Sequence, residues 1–212
     1  MLEILSFYQN LPQKINPVAW RLGEVEIYWY SLAWVLAVLT AWGIAFWRIK
    51  KAEAPAEFDG DFLEKVVLWG LVGALLGGRL GYVLLYRPDF FLSDPWSIVS
   101  PFDSNGRWIG LRGMSFFGGL AGLAASLSLL ARQSRIGFWK ITDFIAPAAA
   151  AGYFWGRVGN FLGGELYGSP TDKPWGMYFD GQLRHPSQIY EATLEGAVLF
   201  WLLWKIRNKD PG

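Results

Sequence analysis

"DFIAPAAAAGYFWGRVGNFLGGELYG" runs from Asp143 to Gly168. Its first half, to Trp155, is apolar enough to begin a membrane span. Its second half carries Arg157, Asn160 and Glu165 among five glycines. An ionisable side chain within a span costs at least ~2.5 kcal/mol and is usually paired or functional. The stretch therefore reads as a membrane helix whose end opens into a glycine-loosened loop.

Working outward, four more stretches approach the ~20 apolar residues that cross a bilayer. Ile27–Trp47 is uncharged. Val66–Tyr86 contains Arg79, and Gly113–Ala131 is rich in small residues. The opening stretch supplies a span at about Phe144–Leu162. The last span, at about Pro186–Trp204, carries Glu191 and Glu195. The expectation is an all-α polytopic helical bundle of about five transmembrane helices, forming a single membrane domain over 1–212. The mean hydropathy of +0.23 is modest because Trp, Tyr and 25 Gly score low and two long loops dilute it. Trp29, Trp47, Trp69 and Trp204 fall near span ends, where amphipathic rings favour the interface. Small residues recur four apart at Gly73, Gly77 and Gly81, at Gly118 and Gly122, and at Gly152 and Gly156. That spacing lets helices approach closely, or leaves room for a lipid chain or headgroup.

Basic residues set the orientation. Arg48, Lys50, Lys51 and Lys65 follow span 1; Arg132, Arg135 and Lys140 follow span 3; Lys205, Arg207 and Lys209 form the tail. The positive-inside rule then places the N-terminus outside and the C-terminus in the cytoplasm. The loops at about 87–112 and 163–185 face outward. The N-terminus, "MLEILSFYQNLPQK", lacks the basic region of a cleavable signal.

Several chemistries are excluded. There is no cysteine, so disulfides, thiolate metal sites and an enzyme thiol are ruled out, and any sulfur chemistry needs a thiol from the substrate. His185 is the one histidine, which leaves no multi-histidine metal site. No metal or cofactor is expected. A net charge of +1 suggests no nucleic-acid partner.

The intramembrane charges admit two readings. Arg79 and Arg157 could pair with Glu191 and Glu195 and hold the bundle together. Alternatively, Arg157 with Asn160 one turn away, followed by glycines, offers the guanidinium and backbone donors that a phosphate needs. Ser187, Glu191 and Glu195 share one helix face, with Gln188 on the neighbouring stripe. In "LRHPSQIYE" Pro186 suits the first helical position, with His185 as a weak cap, and a helix N-terminus favours an anion.

"GRVGNFLGGELYG" resembles the signature of the bacterial prolipoprotein diacylglyceryl transferases. "INPVAWRLGEVEIYWYSLAW", "GGRLGYVLLY", "GMSFFGGLAG", "DFIAP" and "RHPSQIYE" resemble further family segments in family order, covering about Ile15 to Lys205. The resemblance implies transfer of diacylglycerol from phosphatidylglycerol to the lipobox cysteine thiol of a prolipoprotein, releasing glycerol 1-phosphate. It implies a multi-pass protein of the bacterial inner membrane with its site toward the outer side. A cysteine-free enzyme is compatible, since the thiol is the substrate's. The leaving phosphate calls for preorganised positive charge and donors. Arg157 is the candidate for that phosphate, with Asn160 beside it. Gly163, Gly164 and Gly168 would bring the backbone close, and Glu165 would orient Arg157 or polarise the headgroup. Tyr30, in "YWYSL", matches a functional tyrosine of the family; Asp143 and His185 match further family positions. Arg79, Gln188 and Glu191 complete the expected lipid contacts.

Three departures stand out. Many members carry a histidine, proposed to assist thiol deprotonation, where this chain has Phe117. This leaves His185, a carboxylate such as Glu165, or no base at all, since a thiol with a pKa of ~8.5 is already a few per cent thiolate near neutrality. The chain stops at "KIRNKDPG", whereas members usually continue through two more spans that bring an arginine, a tyrosine and a glutamate. The expectation is a fragment, a protein completed by a partner, or a reduced form. Gly163 stands where asparagine is common. The competing expectations are a non-catalytic phosphatidylglycerol- or lipoprotein-binding membrane protein and, from the charges alone, a small transporter, which the lack of internal repeats disfavours.

Overall fold

The computed structural model describes residues 2–23, 25–100, 102 and 113–208. Where the sequence reading has one domain, packing divides the chain into two compact units. One comprises Met1–Ala54 and Asp143–Gly212; the other is Pro55–Thr142.

The first unit opens with two short helices, α1 (Leu2–Gln9) and α2 (Leu11–Lys14), then an antiparallel hairpin of β1 (Val18–Leu22) and β2 (Val25–Tyr28). Gly23 turns that hairpin with φ +63°, a conformation open to glycine at no steric cost. Helix α3 (Trp29–Lys50) follows; its 22 residues span ~33 Å. Helix α7 (Phe138–Gly163) begins in the second unit's residues and crosses into the first. After α7 comes a second hairpin, β3 (Met177–Phe179) with β4 (Gln182–Arg184). The last helical run is α8 (Ser187–Glu191), a π-helical segment (Ala192–Val198) and α9 (Leu199–Ile206). The second unit holds α4 (Gly60–Tyr86), α5 (Pro88–Ser93), a 3-10 turn at Pro95–Ile98 and α6 (Phe116–Ser134).

The helices lie where the apolar runs place them, and the chain is mostly helical. Two expectations need correction. The fold is not all-α, because two short hairpins flank the site-bearing helices. Ile27 and Tyr28, expected to open the first span, belong to β2, so α3 starts at Trp29. Helices α3 and α4 are long and apolar enough to cross a membrane, with mean hydropathies of 1.7 and 1.6. Leu39, Leu68, Leu75 and Leu84 on them are more than half exposed. Apolar surface on that scale needs a cover, and hydrocarbon fits it.

Close contact organises the second unit. Gly73, Gly77 and Gly81 of α4 abut Gly118, Gly122 and Ser126 of α6. A Cβ on Gly122 would sit 2.1 Å from the Gly73 carbonyl oxygen. Asp59 caps α4 through the Phe62 amide at 2.7 Å, and Ser115 caps α6 through the Gly118 amide at 3.2 Å. Each cap satisfies an otherwise unpaired first-turn donor.

In the first unit, Gly152 and Gly159 of α7 meet α3. A Cβ on Gly159 would lie 2.7 Å from Ala33 Cβ and 3.3 Å from the Tyr30 ring. Gly156, expected in the close-packed pair, has open space instead. Gly196 of the π segment lies against α7, where a Cβ would stand 2.7–3.1 Å from Phe154. Tyr30 and Arg48, near the two ends of α3, meet Gly159 and Phe144 of α7, so the two helices run antiparallel.

At the Arg48 end the chain is clamped. Arg48 is buried and donates to the carbonyls of Phe144 (2.6 Å), Arg207 (3.1 Å) and Glu53 (3.4 Å). Arg207 grips the Glu53 carboxylate with two bonds of 2.8 and 3.2 Å, which holds its pKa below the usual carboxylate range. Two of the expected loop cations are thus structural, while Lys50, Lys51 and Lys205 remain exposed.

Candidate functional site

Tyr153, Arg157 and Asn160 sit on one face of α7, spaced four and three residues apart. The Arg157 Nε donates to the Tyr153 hydroxyl at 2.8 Å. Its Nη2 pairs with Glu191 Oε2 of α8 at 2.6 Å. The Tyr153 hydroxyl in turn donates to that same oxygen at 3.1 Å, and Glu195 faces the hydroxyl too. The guanidinium lies 5.0 Å over the Tyr153 ring. Arg157 Nη1 reaches Asn160 Oδ1 at 3.5 Å, the outer limit of a hydrogen bond.

This arrangement uses the guanidinium unevenly. The fork has a side edge, Nε with Nη2, and an end edge, Nη1 with Nη2. Tyr153 takes Nε, and Glu191 forms an ion pair at Nη2, the nitrogen the two edges share. Nη1 keeps only the long Asn160 contact. The Asn160 oxygen must face Arg157, since a guanidinium only donates. Its Nδ2 then points elsewhere and makes no hydrogen bond among the described residues. Two sets of donors are therefore available side by side, on a largely buried Asn160 and a partly buried Arg157.

The loop after α7 is held from the start of α8. Gly164 takes φ +68° and Leu166 φ +54°, so the chain turns sharply. The Glu165 amide bonds the Asn160 carbonyl at 2.9 Å. Gln188, fully buried, donates Nε2 to the Glu165 carbonyl at 2.6 Å, and Ser187 Oγ donates to Leu166 at 3.1 Å. The Gly168 amide donates to the His185 carbonyl, and the His185 amide to Ser169. Beneath the loop, Phe161, Met177 and Phe179 form a small core with Tyr8, Ile15, Leu162 and Tyr167. Tyr167 also bonds the Asp180 carboxylate, which raises its phenol above the usual range.

Not every expected site residue joins this cluster. Arg157, Asn160 and Glu191 converge. Tyr30 packs its ring and backbone against α7 at Gly159, and its hydroxyl has no partner among the described residues. Glu165 is exposed, and the carboxylate that orients Arg157 is Glu191. The amides of Gly164 and Gly168 are spent on Phe161 and His185 carbonyls, so neither N–H is left for a phosphate. Gln188 ties down the loop. His185 bonds Tyr190 through Nδ1 at 3.1 Å instead of capping the helix, and Pro186 takes the cap position one residue before the first turn. Asp143 lies 14 residues before Arg157 on α7, ~21 Å along its axis, and is exposed.

Arg79 and Phe117 belong to the other unit. Arg79 donates to Ile98 (2.7 Å), Ser97 (2.6 Å) and Gly113 (3.1 Å) carbonyls and lies over Phe91. It ties a loop to α4. Tyr153 and Tyr190 escaped the sequence reading. The signal for Tyr153 was its position four residues before Arg157 on the same face.

A family model described as prolipoprotein diacylglyceryl transferase matches residues 17–212. The chain is similar to the phosphatidylglycerol–prolipoprotein diacylglyceryl transferase of Chlorobaculum tepidum, with 41% identity over all of this chain and 75% of the relative. Its counterpart in Wolinella succinogenes is 44% identical over 97% of this chain and 76% of the relative. That of Bordetella parapertussis is 43% identical over 92% and 73%.

Proposed function

The chain belongs to the prolipoprotein diacylglyceryl transferase family, and from that premise we propose that it moves the diacylglyceryl group of phosphatidylglycerol onto the lipobox cysteine thiol of a prolipoprotein. A C–S bond forms, the C–O bond to phosphate breaks, and glycerol 1-phosphate leaves. The thiol proton passes to the released phosphate monoester or to solvent, and the sulfur ends as a thioether. The observation that carries this reading is the Arg157 guanidinium, held at Nε by Tyr153 and ion-paired at Nη2 with Glu191, while Nη1 makes only a 3.5 Å contact with Asn160. A departing phosphate gains charge on its oxygens. A bidentate guanidinium fixed beforehand stabilises that charge without reorganising. Asn160 Nδ2 supplies a second donor, and the unpartnered Tyr30 hydroxyl a third, for phosphate or glycerol oxygens.

In this reading Gln188 and Gly168 serve the site by shaping the 164–169 loop. Glu165 and His185 flank it. Arg79 holds its own loop in the other unit. The fuller topology is five spans, with the Arg157 end of α7 outward and the exposed lysines Lys50, Lys51 and Lys205 toward the cytoplasm, as positive-inside statistics favour. Because the chain has no cysteine, single cysteines at Lys51 and Asp172 test this cleanly. In intact spheroplasts an impermeant maleimide is expected to label Lys51→Cys only after permeabilisation and Asp172→Cys before it. Labelling of both from one side would overturn the topology.

The activity is tested by incubating membranes containing the chain with phosphatidylglycerol and a lipobox peptide. The expected product is the peptide with its mass raised by one diacylglyceryl group. No such product from correctly inserted protein would sink the transferase reading; phosphatidylglycerol retained without turnover would then support a lipid-binding role.

A further inference from the structure

We propose that Leu166 is a specificity-determining contact for the prolipoprotein, held out to meet an apolar side chain that flanks the substrate cysteine; this rests on the reading that diacylglyceryl transfer occurs at the Arg157 end of α7. Leu166 combines two costs. Its φ of +54° is left-handed, a conformation routine for glycine and tolerated by asparagine, but uncommon for leucine. It is also 63% exposed, so packing returns little. The other described non-glycine residues with positive φ sit at helix ends and turns. Ala52 lies just past α3, Arg135 ends α6, and Asp180 precedes Gly181 in the β3–β4 turn. Leu166 ends no helix, since Gly164 already takes that place after α7.

The conformation is imposed from the start of α8. The two peptide carbonyls that bracket the Leu166 Cα are both held. Gln188 Nε2 donates to that of Glu165 at 2.6 Å, and Ser187 Oγ to that of Leu166 at 3.1 Å. Gln188 is fully buried and its Oε1 has no partner among the described residues, so the grip carries a desolvation cost. A strained residue persists only where its surroundings over-determine it, and such residues gather at ligand clamps. Here the strain turns an apolar side chain outward beside the site. One residue back, the Glu165 amide bonds the carbonyl of Asn160, whose Oδ1 faces Arg157. Reach and polarity select the occupant. The attacking sulfur must come within about 3.5 Å of its carbon. An extended peptide advances ~3.3 Å per residue, so residues up to three places from the cysteine stay within about 10 Å of it. The same loop exposes Glu165, Ser169, Asp172 and Lys173, polar company that suits a peptide and not the acyl chains of the lipid.

The test is steady-state kinetics on full-length protein in membranes, with each substrate titrated at saturation of the other. Leu166→Asn is expected to raise KM for the lipobox peptide about tenfold, the scale of burying part of one leucine side chain. KM for phosphatidylglycerol should move less than twofold. The thermal midpoint in detergent should hold or rise, because asparagine takes the left-handed conformation more readily. Leu166→Met, which keeps an apolar side chain, is expected to recover most of the loss. A purely structural role predicts the opposite, a better-fitting asparagine with wild-type peptide KM. The partner is located with peptides in which each apolar residue within three of the cysteine is replaced in turn by alanine. At one position the alanine should cost much less in Leu166→Asn than in wild type, the mark of a shared contact. Wild-type peptide KM in Leu166→Asn, an equal rise in both KM values, or full additivity at every peptide position overturns the proposal. Should Leu166→Asn be poorly folded, Leu166→Gly decides by the same comparison. No product from the wild-type protein would instead remove the transferase reading beneath it.

Discussion

Arg157→Ala is expected to lower diacylglyceryl transfer by about a hundred- to a thousandfold, the scale of losing one preorganised donor to a developing anion. The actual loss should sit at the upper end. In the proposed site Arg157 would contribute a full charge and more than one donor, and its removal leaves Glu191, itself partly buried, without its cation. Arg157→Lys should recover less than about tenfold. An ammonium is a point charge and cannot present two donors in a plane. It would also lose the separate nitrogens that meet Tyr153, Glu191 and Asn160. The measurement is the initial rate of peptide mass gain, normalised to folded protein by size-exclusion chromatography. Wild-type-like turnover in Arg157→Ala would place the phosphate elsewhere.

The second large effect is on stability. Gly122→Leu is expected to lower the thermal unfolding midpoint steeply, by an amount equivalent to ~3 kcal/mol or more, the upper range for overpacking. The reason is that the clash is with backbone. A Cβ there meets the Gly73 carbonyl oxygen at 2.1 Å and Gly77 Cα at 2.8 Å, and neither can rotate away. Helices α4 and α6 must separate, losing the close contact that drives association between apolar helices. Gly43→Leu is the control, because a Cβ at Gly43 meets nothing within 4 Å. It should be neutral or mildly stabilising, since leucine is the better helix former. Equal midpoints for the two leucine variants would refute the close-crossing argument.

The misreadings have physical causes. Ile27 and Tyr28, the end of the hairpin, fall in the expected first span because β2 is four residues long and runs straight into α3. Short apolar runs carry no periodicity strong enough to separate strand from helix. Asp143, expected from the family resemblance, lies ~21 Å along α7 from Arg157. Gly152 and Gly156 have the same four-residue spacing as Gly73 and Gly77. Only the tertiary partner tells them apart, α3 lying over Gly152 and nothing over Gly156. The positive-inside count treated Arg48 and Arg207 as loop charges, but helix ends meeting there make them internal donors to carbonyls and to Glu53.

What could be read from residues alone was whatever depends on local order along the chain. Apolar run length gave the helices, and the spacing of Arg157 and Asn160 put them on one face. The absence of cysteine made any thiol the substrate's. What needed the folded chain was everything that depends on which side chains meet across helices. Whether Arg157 is neutralised or presented is settled by a residue 34 positions away, Glu191, and by a tyrosine lying between them. A guanidinium has two edges, and no sequence spacing says which of them a neighbouring helix will occupy.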